Sequence, residues 1–528
     1  MKKNLFLAMV LPMAIHAQYN GRVGINTSTP DATLQVSRND DLPETRPQGV
    51  TFPNFSTEER SKFQNVSKGM LIYNTDKNCI EMYMGYIGGI HQWTCNGKIN
   101  DVGEVSNPPS SATATLGAIQ DYRFIVFQHK GKDYRVKDLG YTNEGVAPNE
   151  EISISIPYTN AQPTNGAYTA FEQTLPLKNT AGYTQDFKLY YPAGNFTGAT
   201  GTIQAKLKNV SGAVYMPELY AKDGVYRNLI SGANAYSISL NGGVSTTSLK
   251  VQDITAIPDR CFDTTTSDCV GYGASVKEHD FLYIPIKGPD GNLWLSNNLG
   301  AEYARVGATV FDPTRQAGAL DYTTTGAPLA NPTADQIKKD WRAYGSLFQW
   351  QRNPDGHELI NWSKATNGTP KYTGTGSISN SWTNAGTNEF IANASSPYSW
   401  VNSSLNSDSS QWNLWQTNGS TNPCPSGYHV PTHTEQVALH DAITGKSNGT
   451  NSSNSSAMWN ETGLRLPASG SRYSGSGTLY GQSRYGRDWS SEQDNSDDSW
   501  NLWFNSSISS AGSNYDRARS FSVRCLKD

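Results

Sequence analysis

The chain has 528 residues, of which 17% are charged, with 48 glycines, six cysteines and a formal net charge of −4. That length exceeds what one hydrophobic core serves and implies about two to four domains. The charged fraction lies below the ~25% of an average soluble domain, and the near-neutral balance supplies no electrostatic footprint for nucleic acid or an anionic membrane, which sets both aside as partners.

At the N-terminus, Lys2 and Lys3 precede an apolar run from Leu5 to Ile15 and the small residue Ala17. The run is too short to span a hydrocarbon core of ~30 Å, so residues 1–17 read as a secretory signal peptide. No later stretch is long and apolar enough to cross a membrane, so the expectation is export through the general pathway to the extracellular space or outer cell surface, without direct membrane insertion. In an exported chain the cysteines read as disulfides, and proximity suggests Cys79 with Cys95, Cys261 with Cys269, and Cys424 with Cys525, although six cysteines allow other pairings. The last pair closes a loop of about 100 residues, which chain entropy values at about 4–5 kcal/mol.

Residues 18–102 hold short apolar runs bounded by Asn, Gly, Pro and Asp, a small β-rich surface or stalk module with one helix near Ser56 to Phe63. Residues 103–117, VGEVSNPPSSATATL, read as a linker because Pro, Ser and Thr displace apolar periodicity. From 118 to 256 the alternation is clear: Ile152, Ile154 and Ile156 in EISISIPY; Ile203, Ala205 and Leu207 in GTIQAKLK; Tyr236, Ile238 and Leu240 in AYSISL. Half-buried strands with polar turns predict an antiparallel, immunoglobulin-like β-sandwich, expected to act as a spacer. Residues 257–273 form a disulfide linker loop around Cys261 and Cys269.

The last domain, 274–528, opens with a Pro-Asp-Gly hairpin in HDFLYIPIKGPDGNLWLSNNLG. Ile337, Trp341, Tyr344 and Phe348 recur at helical spacing behind Thr333 as N-cap. Thr432 and Glu435 make a capping box for a second helix that Gly445 can stop. Residues 365–422 read as long loops. In SWNLWFNSS, period two assigns Trp500, Leu502 and Phe504 to the core and Ser499, Asn501, Trp503 and Asn505 to an outward face. SFSVRC likewise sets Phe521, Val523 and Cys525 against Ser522 and Arg524.

The chain shows no GxSxG, Walker, HExxH or dinucleotide fingerprint, so no enzyme and no cofactor are expected. The acidic run Glu492, Asp494, Asp497 and Asp498 reads as a solvated loop rather than a calcium site. His433 and His440, a heptad apart, lack a third ligand, so no metal is expected there either.

The segment VGINT-TP-ATLQV, followed by GMLIYNT and a closing Trp strand, resembles, over about residues 20–100, an N-terminal module of secreted bacterial surface proteins and a motif of tail-fibre-like proteins. Two readings stay open, a plain β-rich spacer or stalk and an assembly module through which the chain oligomerises. GNLWLSNNLG, AYGSLFQWQRNPDG, NPCPSGYHVPTHTEQVAL, GLRLPASGSRY, DWSS and SFSVRCLKD, in that order, resemble the FISUMP family, the major paralogous domain of bacterial surface proteins. That resemblance implies a C-type-lectin-like α+β domain. Tyr428 stands where the family often has Trp, and Arg487 follows the glycine before DWSS. The lectin calcium motifs EPN, QPD and WND are absent, and the reactive cysteine pair of the similarly folded formylglycine-generating enzymes is replaced by the clasp.

The stretch from Ser471 to Arg519 also resembles the variable region of proteins diversified by retroelements, with core words interleaved by residues reachable from asparagine codons. The binding face so implied comprises Tyr473, Tyr485, Arg487, Asp488, Asp494, Asn495, Ser499, Asn501, Trp503, Asn505, Asn514, Tyr515 and Asp516, with Trp489 and Ser490 as scaffold. Tyr and Trp offer contact area at small entropic cost, and Ser and Asn offer adaptable hydrogen bonds. The expected partner is a protein or glycan on another cell, phage or surface. The alternatives are a carbohydrate-binding adhesin stacking sugars on Trp412, Trp415, Trp500 or Trp503, and a structural surface protein without a ligand.

Overall fold

The computed structural model describes residues 18–19, 22–25, 34–37, 51–77, 79–87, 90–95, 98–99 and 112–528, less 180, 221–222, 324 and 452–455. The expected signal segment and residues 103–111 of the expected linker lie outside them. Two compact units emerge, Met1–Ser110 and Ser111–Asp528. Both are mainly β, and all three expected disulfides form, with Cα–Cα distances of 5.7, 5.5 and 5.9 Å in chain order.

In the first unit a five-stranded sheet runs Asn54–Phe55, Leu71–Asn74, Cys79–Ile87, Ile90–Cys95 and Lys98–Ile99. Its helix, Thr57–Ser61, starts on a capping box in which Ser56 and Glu59 satisfy each other's backbone N–H. The core is small: Ile72, Tyr83 and Trp93, with Phe55, Phe63 and Val66 against them. Inside it Arg60 pairs with Glu81 at 2.9 Å.

The second unit begins with a sandwich of two five-stranded sheets. The alternating residues named from the sequence fill its core, from Ile154 and Ile156 to Tyr236, Ile238 and Leu240. Two details differ from the expectation. Thr113–Leu116, inside the expected linker, is an edge strand paired to Glu151–Gln162, with Ala114 and Leu116 buried; its Thr-Ala alternation is a strand pattern hidden in a linker-like composition. Tyr122–His129 pairs in parallel with Val251–Thr255, so the sandwich is not purely antiparallel. Phe124 to Phe127 are buried without alternation, because the sheet is covered on both faces. Its outer face, with Ile125, Phe127 and Ile254, shares a core with Phe262, Leu282, Ile284, Ala308 and Phe311.

The remainder of the unit has three small four-stranded sheets stitched by long segments. The helix expected to run from Thr333 to Phe348 stops early. It covers Ala334–Lys339, a 3-10 turn follows at Trp341–Ala343, and Phe348–Gln349 is a strand. Asp340 ends it by accepting from Tyr303 Oη (2.6 Å) and the Gly318 N–H (2.8 Å). Gly345 then turns the chain at φ +73°, where a Cβ would lie 2.3 Å from the Leu299 carbonyl. The second helix, His433–Thr444, has the expected Thr432–Glu435 capping box and ends at Gly445 with φ +67°. Residues 365–422 are mostly irregular, yet Trp382, Trp400 and Trp415 from them sit in the main core with Trp350, Trp489 and Phe521.

The Cys424–Cys525 clasp ties these segments at the point where the Cys525 carbonyl accepts from the Leu295 N–H at 3.0 Å. Replacing both cysteines with alanine is expected to lower the stability of the second unit by about 2–5 kcal/mol. The midpoint of its urea transition, followed by tryptophan fluorescence, checks this.

Candidate ligand-binding recess

Gly486–Gln493, Asp498–Phe504 and Ser509–Asp516 form an antiparallel meander. Leu502, Phe504 and Ala511 pack beneath it with Leu439 of the helix and with Met458 and Trp459. The strict period-two reading of SWNLWFN needs correction, because a bulge between Asn501 and Trp503 shifts the register. Ser499 and Asn501, expected outward, are both fully buried. Trp500, expected in the core, is half-buried and stacks on His433 at 4.3 Å and 9°.

The cause is that the second face of this sheet is also covered at one end. There Arg517 is buried over Trp350 (4.7 Å) and Trp412 (4.4 Å). It donates to Ser499 Oγ (3.3 Å), to Asn406 O (2.9 Å) and Oδ1 (3.0 Å), and to Asn495 O (2.6 Å). Asn501 donates its amide to Ser513 O at 3.0 Å. Small polar side chains at 499 and 501 thus leave room for a buried guanidinium and serve its neighbourhood. Burial pushes the Arg517 pKa down to about 10.

At the opposite end the face opens into a recess of about 620 Å³. Its walls are Tyr473, Thr478, Tyr480, Tyr485, Arg487, Trp503, Tyr515 and Arg519. The hairpin Ser471–Arg472/Leu479–Tyr480 forms one wall. Arg472 pins it by donating to His357 O (2.6 Å) and Gly477 O (3.0 Å). Tyr480 and Tyr485 lie nearly parallel, 6.0 Å apart at 27°. Arg487 sits at the floor with its guanidinium 4.3 Å from the Tyr515 ring, 5.1 Å from Phe521, 5.4 Å from Tyr485 and 5.7 Å from Trp503.

Five of the residues singled out from the sequence therefore meet: Tyr473, Tyr485, Arg487, Trp503 and Tyr515. The others do not join them. Asp488, expected on the binding face, is buried and accepts from Ser522 Oγ at 2.8 Å. Asp494 accepts from the side-chain amides of Asn495 and Asn514 around the turn at the far end of the sheet. Asn505 closes the next turn by accepting from the Ser507 and Ile508 N–H groups. Asp516 is half-buried and faces Arg519 at 3.7 Å. Of the tryptophans proposed for sugar stacking, Trp415 is fully buried, Trp412 lies against Arg517, and only Trp503 reaches the recess. Thr478, Tyr480 and Arg519 were not singled out; the signal available for the first two was the SGSG turn after Tyr473, which folds the chain back beside it.

Joined to the recess wall through Arg472 is an ionic cluster in RNPDGHE, which overlaps the word AYGSLFQWQRNPDG but was not expected to form a site. Asp355, His357 and Glu358 are buried and close enough for their ligand atoms to surround a cation. Each is committed to protein partners instead. His357 Nε2 accepts the Gln349 N–H (2.9 Å), which leaves Nδ1 as donor to Asp355 (2.8 Å). Asp355 also accepts from Arg352 (2.7 Å) and Tyr272 (2.9 Å), and Glu358 from His279 (2.8 Å). Burial pushes Glu358 up, yet its hydrogen bonds to His279 and His357 outweigh this and hold it below the usual carboxylate range. Burial pulls His279 down, but the bond to Glu358 leaves it raised. His429, between Glu435 (3.0 Å) and Asp528 (2.7 Å), is raised against burial in the same way.

Fold and recess together define a multidomain, mainly β protein with a disulfide-closed C-terminal region. Residues 24–106 match a family described as the phage tail like trimerisation region. No curated protein and no solved structure matches the chain.

These shifts set a pH optimum. The depressed Glu358 contributes stability above its unfolded pKa of about 4.3 that is lost as pH falls, whereas the raised His279 and His429 contribute stability below about 6.5 that is lost as pH rises through their folded values. Buried carboxylates held up to about 6, Asp259 and Asp340, take stability away as pH rises through the same window, so the urea midpoint is expected to be highest toward the acid end of the range between about pH 4.3 and 6.5. Glu358→Gln is expected to cost about 3–5 kcal/mol, by leaving buried partners uncompensated, and to flatten the acid limb of that curve.

Proposed function

We propose that the protein is exported to a bacterial surface, oligomerises through its N-terminal module, and binds a ligand at the recess of a FISUMP-type, C-type-lectin-like domain. The observation that carries this reading is the convergence of Tyr473, Tyr485, Arg487, Trp503 and Tyr515, from four separate places in the stretch 471–519, on one open cavity. Pockets of roughly 300–1,000 Å³ lined by aromatic groups with a few polar ones are the usual form of a binding site. The scaffold words between them, with Trp489 and Phe521, lie in the core, so the exposed wall residues Tyr473, Thr478 and Tyr480 can change without unpacking it, whereas Arg487 and Tyr515 also pack on Phe521. If a retroelement diversifies the region, the variation belongs at the walls and turns, because Asp488, Ser499 and Asn501 are internal.

The N-terminal reading rests on the match to a trimerisation region and on apolar side chains left exposed on that unit, among them Met70, Leu71, Ile80 and Tyr86. Light scattering of the full chain is expected to report a trimer, and Met70→Ser with Leu71→Ser to weaken it; a monomer at all concentrations would remove this part of the proposal.

For the recess, the full chain is screened against arrays of surface proteins and glycans. Trp503→Ala and Tyr485→Ala are expected to weaken the captured ligand by about 2 kcal/mol each, as for central aromatic anchors. Binding that both variants leave unchanged would place the site elsewhere. A reverse-transcriptase gene beside a near-copy of the 471–519 coding region, differing at adenines, is the genomic outcome expected of diversification; an invariant coding region across isolates speaks against it.

A further inference from the structure

Five arginines of the C-terminal region are almost wholly buried: Arg352, Arg472, Arg487, Arg517 and Arg524. Four are engaged by carbonyl or carboxylate oxygens. Arg352 bonds Asp355, Gln349 and the Thr387 carbonyl; Arg472, two carbonyls; Arg517, the Asn406 and Asn495 carbonyls; Arg524, Asn298 and three carbonyls. Arg487 differs. It is 3% exposed, its Nη2 donates to Tyr515 Oη at 3.1 Å, and its Nε and Nη1 have no hydrogen-bond partner.

Unmet donors gather around it. Trp503 Nε1 and Arg519 Nε, both on the walls of the recess, also lack a hydrogen-bond acceptor. Among the described residues no carboxylate lines the cavity: Asp488 turns to Ser522 in the interior, and Asp516, outside the lining, forms an ion pair with Arg519 Nε at 3.7 Å. Leaving buried donors unsatisfied costs about 1–3 kcal/mol each, more when they are charged, so several gathered at one cavity call for an explanation, and an acceptor supplied by a ligand is one that fits an open recess. Burial above all pulls the Arg487 pKa down, and the charge of Arg519 acts the same way; an anion between them would offset both.

Building on the ligand-binding reading above, we infer that the recess recognises a carboxylated sugar, its carboxylate meeting the Arg487 and Arg519 guanidinium groups and its ring lying against Tyr485 and Trp503. Guanidinium groups match a carboxylate's two oxygens, and the bond is charge-assisted. The remaining walls suit a ring bearing hydroxyls: aromatic faces, the tyrosine hydroxyls and Thr478, with no aliphatic side chain among them. An acidic peptide shares the charge but not the hydroxylated ring with its C–H face.

The test titrates the full chain with uronate and sialylated oligosaccharides and with their methyl esters, which keep the ring and lose the charge, following tryptophan fluorescence. The acids are expected to bind, and the esters to bind about ten-fold more weakly or worse. Arg487→Gln is expected to abolish that difference. Because Arg487 is buried, Arg519→Gln serves as the second variant, expected to retain the native circular dichroism and reduce the preference for the acid. Esters that bind as well as acids, or an acid preference that survives both substitutions, would overturn the inference. Capture of acidic peptides in place of sugars, with dependence on Trp503, would overturn the sugar assignment while leaving the ligand-binding reading intact. No ligand of any class at the recess would overturn that reading itself.

Discussion

An irregular chain can be buried only if something other than helix and sheet ladders satisfies its carbonyls. Here that role falls to guanidinium groups. Arg472, Arg517 and Arg524, each at most 2% exposed, donate between them to His357, Gly477, Asn406, Asn495, Leu295, Ser296 and Leu464 carbonyls. The tryptophans do the same with one donor each: Trp489 to Phe348 O, Trp350 to Ser490 O, Trp400 to Trp350 O. The long loops are therefore part of the core, and the small sheets are joined through side chains as much as through strand pairing.

This construction explains how a recess persists on a sheet otherwise packed on both faces. The tryptophan core and Arg517 cover one end of the meander. The hairpin held by Arg472 stands off the other. Arg472 reaches the recess wall from the ionic cluster, since its acceptor is the carbonyl of His357, whose ring is fixed by Gln349 and Asp355. Such a polar network specifies one arrangement of the loops around it, because each donor left over is penalised in the low-dielectric interior. Arg487 is the departure from the pattern, and it lies at the floor of the recess with two donors unmet.

The sandwich contributes more than reach. Its strand Tyr122–His129 is buried on both faces and shares a core with Phe262, Leu282 and Phe311, and Ile257–Pro258 pairs with Leu282–Tyr283. The C-terminal region is thus seated directly on a sheet of the sandwich.

Local pattern was enough for the sandwich strands, the capped helix His433–Thr444, the disulfide pairs and the apolar face of Leu502 and Phe504, because alternation, capping and cysteine spacing act over a few residues or through one covalent bond. It failed where one residue type serves two purposes. Trp341, Tyr344 and Phe348 sit at helical spacing, yet Asp340 and Gly345 break the helix and the rings pack from a 3-10 turn and a strand. Ser499 and Asn501 look like surface, yet they are interior because Arg517, distant by a hairpin, needs them there. Which of the polar and aromatic residues of 471–519 share a cavity was decided by a bulge, by the fold of the Tyr473–Tyr480 hairpin and by buried guanidinium groups, all of which depend on contacts between segments far apart in the chain.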